Sequence, residues 1–134
     1  MSEQKQAVGT FKVKLDTQDA SPAAEAAGVG RMAIDKQFEG GLEGRSRGEM
    51  MHHMTATQGS GVYVALERFD GTLHGQAGTF ALHHTGLMRR GEASLEVSVV
   101  PDSGTGALAG IAGTMAIRIE GGTHSYEFVY ELPG

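Results

Sequence analysis

The sequence predicts an all-β fold, a single antiparallel eight-stranded β-barrel, with a β-sandwich as the alternative. Large apolar residues recur at every second position along most of the chain, which is the period of a strand with one buried face. The 134 residues include 21 Gly and only 3 Pro, and glycine suits turns and bulges better than helix or strand interiors. An open sheet of about eight strands would leave two unpaired edges, which closure into a barrel removes.

The N-terminal part of the chain is predicted to hold a tail, a strand and a short helix. Residues 1–7 are polar and are predicted to form a flexible tail, so the barrel domain is predicted to span residues 8–134. An Ala-rich connection follows the first strand, and in it Ser21 and Pro22 are typical of a helix cap and a first helical position. We therefore expect helix only within residues 19–28.

Alternating segments separated by turns make up the rest of the chain. Glycine-containing turns, among them Gly40-Gly41, Asp70-Gly71 and Gly121-Gly122, are typical of hairpins. The strand at 43–57 is unusual because it is polar on both faces. The strands are predicted at residues 8–15, 31–38, 43–57, 62–69, 75–85, 92–100, 115–119 and 126–132.

Composition argues against several classes of function. The 11 Lys and Arg against 16 Asp and Glu give a formal net charge of −5, whereas a nucleic-acid interface needs clustered cations. The absence of Cys excludes disulfides, thiolate catalysis and Cys-ligated metals. The N-terminus has no apolar run typical of a signal peptide or a membrane span. We therefore expect a cytoplasmic protein that binds neither nucleic acid nor membrane.

Two regions carry a resemblance to a known family. They read GSGVYVALERFDGTLHGQAGTFALHHTG at residues 59–86 and GEASLEVSVVPDSGTGALAGIAGTMAIRIEGGTHSYEFVYEL at residues 91–132. They resemble the DUF3224 family of uncharacterised bacterial proteins, which is similar to the allene oxide cyclases and dirigent proteins. Those small barrels carry a turn similar to Gly104-Thr105-Gly106-x-x-x-Gly110-x-x-Gly113. The resemblance implies a pocket for a small apolar molecule and a homo-oligomer, since those relatives are trimers. Tyr63 and Met51, opposite the core phase, also favour association.

Strand phase predicts which side chains share the core face. They are Met50, His52, Val64, Leu66, Arg68, Phe80, Leu82, His84, Tyr126, Phe128 and Tyr130. A polar group inside a small barrel costs free energy unless it is paired or meets a ligand. The polar members are therefore candidates for a ligand pocket, or alternatively for an internal polar network: His52, Arg68, His84, Tyr126 and Tyr130.

A one-residue bulge would instead turn the opposite phase inward. Glu49, Glu67 and His83 would then form a carboxylate–imidazole set suited to proton transfer. Without such a bulge, His84 shares a phase with Phe80 and lies inside the barrel or at its mouth, whereas His83 lies outside.

Two motifs raise the question of a metal or a nucleotide. In the pairs His52-His53 and His83-His84, neighbouring side chains point to opposite faces, so only one His of each pair could join a site, and a third ligand is missing. The glycine turn at 104–113 is followed by a strand pattern rather than by the helix that a phosphate loop requires. We therefore predict no metal, nucleotide or other cofactor.

Three functions remain open at this point. The leading prediction is a barrel that binds a small, largely apolar molecule. An alternative is a cyclase or isomerase in which His84 or Glu67 moves a proton and Tyr126 or Arg68 polarises an oxygen. The other alternative is a structural or interaction protein whose barrel is filled with side chains.

Overall fold

The structure, a computed structural model that describes residues 3–133, is a closed antiparallel barrel of eight strands. The strands are β1 (Gln4–Gln18), β2 (Gly30–Gly40), β3 (Leu42–Met54), β4 (Gly61–Leu73), β5 (Gln76–Arg89), β6 (Glu92–Val99), β7 (Ala112–Glu120) and β8 (Thr123–Glu131). Each strand pairs with the next, and β8 returns to pair with β1. The predicted barrel is confirmed, and the sandwich is excluded.

The N-terminal segment differs from its prediction. β1 begins at Gln4, which pairs with Glu131 of β8, and the side chain of Ala7 is fully buried. Residues 4–7 therefore belong to the barrel rather than to a tail, because Ala7 is the first inward position of β1. Residues 1–2 of the predicted tail lie outside the described residues.

Helix is confined to a small part of the described chain. Helix α1 (Pro22–Ala26) begins after Ser21, whose side chain accepts a hydrogen bond from the Ala24 amide at 3.1 Å. This confirms the predicted helical region and its cap. Within residues 3–133 no helix has the length and hydrophobicity that a membrane span requires.

Aromatic side chains fill one half of the barrel, the half in which β1 begins and β8 ends. The buried rings there are those of Phe38, Phe69, Phe80, Tyr126, Phe128 and Tyr130. Phe80 stacks on Phe128 with their ring centroids 5.6 Å apart. A 3-10 turn at Gly106–Leu108 inserts the fully buried Leu108 against this end, and Gly106 has the positive φ of 61° that the turn requires. We call this region the filled half and the opposite one the open half.

The junction between β6 and β7 is the weakest in the barrel wall. Its register contains the single pair Ser98↔Thr114, whereas β3 and β4 pair along their whole lengths. Continuing the antiparallel register would oppose Leu95 to Ile117, but that pair is not formed. Towards the open half the two strands therefore diverge and leave their facing edges unpaired. We call this opening the seam.

Candidate functional site

The open half contains an interior cavity of about 230 Å³. Residues from all eight strands line it, and most of its wall is apolar, including Val13, Ile34, Met50, Ala65 and Ile117. These residues occupy the inward positions of their strands, in the same phase as the aromatic residues of the filled half. The cavity exists because these smaller side chains do not fill the open half as the rings fill the other.

A buried ionic cluster forms the floor of the cavity, and Lys36 and His84 are in its lining. Glu67 Oε2 lies 2.8 Å from Lys36 Nζ and 2.8 Å from His84 Nε2, while Glu67 Oε1 accepts a hydrogen bond from Ser46 Oγ at 2.8 Å. The Glu67 side chain is fully buried, and those of Lys36 and His84 are 7% and 4% exposed. The four residues therefore form one connected network at the boundary between the two halves.

Strand register brings this cluster together. Its members take inward positions on the neighbouring strands β2 to β5, with Lys36 paired to Ser46 and Glu67 to Gly48. A Cβ at Gly48 would overlap the carbonyl oxygen of Leu66, so the backbones of β3 and β4 approach each other too closely for any side chain there. Gly48 thus allows Glu67 to sit directly beside β3, within reach of Ser46.

Glu67 and Lys36 carry opposite charges within the cluster. Burial raises the pKa of Glu67, but the contacts with His84 and Lys36 lower it more, and the net result is a pKa of about 2 instead of the ordinary 4.5. The carboxylate is therefore ionised at neutral pH and neutralises Lys36. The Lys36 ammonium also lies 4.8 Å from the centroid of the Phe11 ring, a cation–π contact.

His84 is the incompletely satisfied member of the cluster. Its Nε2 lies at hydrogen-bond distance from Glu67, but the N–H is not directed at the carboxylate oxygen. Nε2 is thus buried with no aligned hydrogen-bond partner in the part of the chain that the structure describes. Arg31 Nε, 3.0 Å from Glu49, is misaligned in the same way, so each contact is an ion pair rather than an aligned hydrogen bond.

A second pocket of about 360 Å³ adjoins the cavity at the open end of the barrel. It shares Met50, Tyr63 and Leu95 with the interior cavity and is otherwise lined mainly by apolar groups, including Met54 and Met88. Burial, followed by the charge of Glu67, raises the pKa of Tyr63. We call this pocket the mouth.

A depression of about 880 Å³, larger than the cavity and the mouth, lies on the outer surface of the barrel. Its exposed lining includes Met51, Val64 and Leu66, with Arg31 and Glu49 beside them. His84 lines both this depression and the interior cavity, whereas Lys36 lines the interior cavity and not the depression. We place the candidate ligand site in the interior cavity because two members of the buried cluster, Lys36 and His84, meet there beside an apolar wall.

Comparison with known proteins agrees with this architecture. The family model described as "Protein of unknown function (DUF3224)" matches residues 7–130. The chain belongs to the DUF3224 family. A crystal structure of a DUF3224 protein of unknown function from Shewanella oneidensis MR-1 is 49% identical and superposes with a TM-score of 0.90, and the alignment covers 98% of this chain and 100% of that one. A search of curated proteins finds no match.

In this DUF3224 barrel the structure unites residues from both predicted site sets. His84 lies inside, as the strand phase predicts, and it contacts Glu67, which was placed in the alternative set. His83 is exposed on the outer face. The predicted grouping of Glu49, Glu67 and His83 is wrong, because Glu49 also points outward and forms an ion pair with Arg31 at 3.0 Å.

The phase of β4 is opposite to the predicted one. Val64 and Leu66 are exposed, and Arg68 donates a hydrogen bond to Thr79 Oγ1 on the outer surface at 3.3 Å. Tyr63, which was predicted to lie opposite the core phase, faces inward with Glu67. Both phases of this strand contain apolar residues, so alternation alone does not decide which of them is buried.

The remaining predicted residues divide between the two halves. His52 lines the mouth. Tyr130 is buried in the filled half, and so is Tyr126, whose hydroxyl accepts a hydrogen bond from the Leu42 amide and donates one to the Glu39 carbonyl, both at 2.9 Å. These two tyrosines therefore stabilise the filled half rather than line the cavity.

Sequence reasoning missed Lys36 and Ser46. Lys36 shares its phase with Ile34 and Phe38, and a lysine in the apolar phase of a strand is the signal that could have revealed it. Ser46 carries no such signal, because β3 has polar side chains in both of its phases. Across residues 3–133, no three side chains of the His, Cys, Asp and Glu types come together in a metal-binding arrangement.

Proposed function

We propose that this barrel binds a small, largely apolar molecule that carries one polar group. The observation that carries the proposal is the apolar cavity in the open half, with the buried polar side chains of Lys36 and His84 at its floor. The mouth, about 360 Å³, falls within the usual range of ligand pockets, roughly 300–1,000 Å³, and the interior cavity beside it adds about 230 Å³. The alternative of a structural protein whose barrel is filled by its own side chains applies to the filled half and not to the open half.

Fluorescence of N-phenyl-1-naphthylamine, a neutral dye that brightens in apolar surroundings, tests this proposal. The parent protein should bind the dye saturably. Ala65→Phe should abolish binding, because Ala65 is buried against the cavity and the added ring would occupy it. Ala65→Leu should give an intermediate loss, and Ala116→Phe, on the exposed face of β7, is the matched control.

Circular dichroism on each variant separates loss of binding from loss of fold. Equal dye binding by the parent, the folded Ala65→Phe variant and the control would contradict the proposal. Failure of the folded parent to bind the dye would also contradict it.

A cyclase or isomerase is the second candidate, and it is supported by the contact between Glu67 and His84 at the cavity wall. An ionised carboxylate holding an imidazole is an arrangement suited to proton transfer. With 2-octanone in D₂O, an enzyme of this type would exchange the hydrogens on the carbon next to the carbonyl for deuterium. His84→Ala would abolish this exchange. Binding of the ketone without hydrogen exchange would favour a barrel that binds its ligand and does not transform it.

Self-association is proposed for the outer face of β3 and β4. Met51, Val64 and Leu66 are 43%, 47% and 63% exposed on adjacent positions of this face, and exposed apolar patches often mark association sites. A homo-oligomer that buries this patch would leave the open half of each barrel free. The cytoplasmic location, and the absence of nucleic-acid and membrane partners, remain predictions from composition.

A further inference from the structure

We infer that the ligand is an uncharged, elongated molecule, with a hydroxyl group at His84 and an apolar chain that extends into the mouth. This inference rests on the proposed ligand-binding function and specifies the chemical class of the ligand. Three features of the site support it: the Lys36–Glu67 ion pair at the floor, the hydrogen-bonding capacity that remains there, and the position of the mouth next to the cavity.

The ion pair of Lys36 and Glu67 at the floor disfavours a charged ligand. Lys36 and His84 both approach the same oxygen of Glu67 at 2.8 Å, so an anion that reached either group would also lie close to an ionised carboxylate. A cation that reached Glu67 would lie close to the Lys36 ammonium. Repulsion between like charges is strong in a buried site, and a third charge there would have no partner.

The remaining hydrogen-bonding capacity suits a hydroxyl group. An ionised carboxylate only accepts hydrogen bonds, so a neutral imidazole facing Glu67 carries its proton on Nε2 and keeps Nδ1 as an acceptor. The Lys36 ammonium has three donors, and among the described residues Glu67 receives the one side-chain hydrogen bond that it makes. A hydroxyl can donate to His84 and accept from Lys36, whereas an ether or a ketone can only accept.

The shape of the site suits a chain. The interior cavity and the mouth share Met50, Tyr63 and Leu95 in their linings, so a ligand longer than the cavity would reach the mouth by passing between these side chains. Beyond them the mouth is bordered by Met54 and Met88. Methionine side chains are flexible and adapt to irregular apolar shapes, which suits a chain with several conformations better than a rigid ring system.

Displacement of bound N-phenyl-1-naphthylamine by matched compounds tests the polar end. At pH 8, 1-octanol should displace the dye at a concentration at least about tenfold lower than octanoate, octylammonium or 1-methoxyheptane. His84→Ala should reduce the difference between the alcohol and the ether to within about twofold, because it removes the acceptor that only the alcohol uses. Tighter binding of octanoate or octylammonium, or equal binding of the alcohol and the ether in the parent, would overturn the inference.

A series of primary alcohols from pentanol to nonanol tests the chain. Affinity should rise about three- to fourfold for each added CH₂ that enters the mouth. Met88→Glu should weaken the binding of octanol by about tenfold or more, because Met88 lines the mouth and not the interior cavity. The affinity for pentanol should change by less than about twofold. Val8→Glu, at an exposed position away from both pockets, is the matched control.

The outcomes of these measurements distinguish this inference from the proposed function. If the folded parent does not bind the dye, the ligand-binding function itself fails. If the dye binds and is displaced, but Met88→Glu leaves octanol binding unchanged, the cavity binds ligands and the placement of the chain in the mouth is wrong.

Discussion

His84 and its neighbour His83 offer a matched pair of residues, since one lies inside the barrel and the other outside. We expect His84→Ala to weaken binding of 1-octanol by about 1–3 kcal/mol, because a hydrogen-bonding group at the cavity floor is removed. His83→Ala should change binding little, since this side chain is exposed on the outer face. Dye displacement, with thermal denaturation in parallel, measures both. If His83→Ala weakened the binding of 1-octanol and His84→Ala did not, the proposed site would be wrong.

Glu67 gives the protein a predictable response to acid. Its pKa is about 2 in the folded state and near the ordinary 4.5 in the unfolded state, so its contribution to the free energy of unfolding is complete above pH 4.5 and is lost as the pH falls towards 2. The size of this contribution is about 3 kcal/mol. Denaturant unfolding across this pH range should show the decline.

The variant for this test must avoid leaving a buried charge unpaired. Glu67, Lys36 and His84 are therefore replaced together, as Glu67→Leu with Lys36→Met and His84→Leu, because well-packed apolar side chains substitute for a buried ionic cluster at little cost. The triple variant should lose less stability between pH 4.5 and pH 2 than the parent does. An equally steep decline in both proteins would show that other carboxylates cause it.

Among the strands, β2 and β4 show what the sequence could predict and what it could not. The inward phase of β2 is evident because Ile34 and Phe38 mark it, and Lys36 follows from that phase. In β4, Val64 and Leu66 compete with Ala65 and Phe69 for the core, and alternation gives no reason to prefer either set. Tertiary contacts decide the phase, since Phe69 packs on Phe80 and Glu67 pairs with Lys36.

The closed barrel was predictable because it depends on many alternating segments together rather than on the phase of one of them. The polar cluster was not predictable as a set, because it depends on which inward positions of β2 to β5 become neighbours. This is why His84 and Glu67 were predicted in separate groups although they are in contact.

The seam should be the least protected junction of the barrel. Because β6 and β7 share the single pair Ser98↔Thr114, the backbone groups on their facing edges lack inter-strand hydrogen bonds towards the open half. In native-state hydrogen exchange, we expect the seam-facing amides of residues 92–97 and 115–120 to exchange faster than the paired amides of β3 and β4. Uniform protection around the barrel would contradict the seam.

We predict that the molecule associates with copies of itself through the outer face of β3 and β4. Sedimentation velocity at high micromolar concentration should show an oligomer, and Leu66→Lys should convert it to a monomer, because Leu66 is 63% exposed at the centre of the patch. Val8→Lys, which adds the same charge at another exposed apolar position, should leave the oligomer intact. A monomeric parent protein would contradict this prediction.

We propose that the open half of the barrel, rather than its outer surface, binds an apolar ligand. Methionine methyl groups report on both regions, since Met50 and Met88 line the cavity and the mouth, Met51 lies in the outer depression and Met115 is buried with the filled half. In ¹³C-methyl-methionine NMR spectra, titration with 1-octanol should shift the Met50 and Met88 resonances and leave those of Met51 and Met115 in place. A shift of Met51 without Met50, or no shift at saturating octanol, would contradict the account.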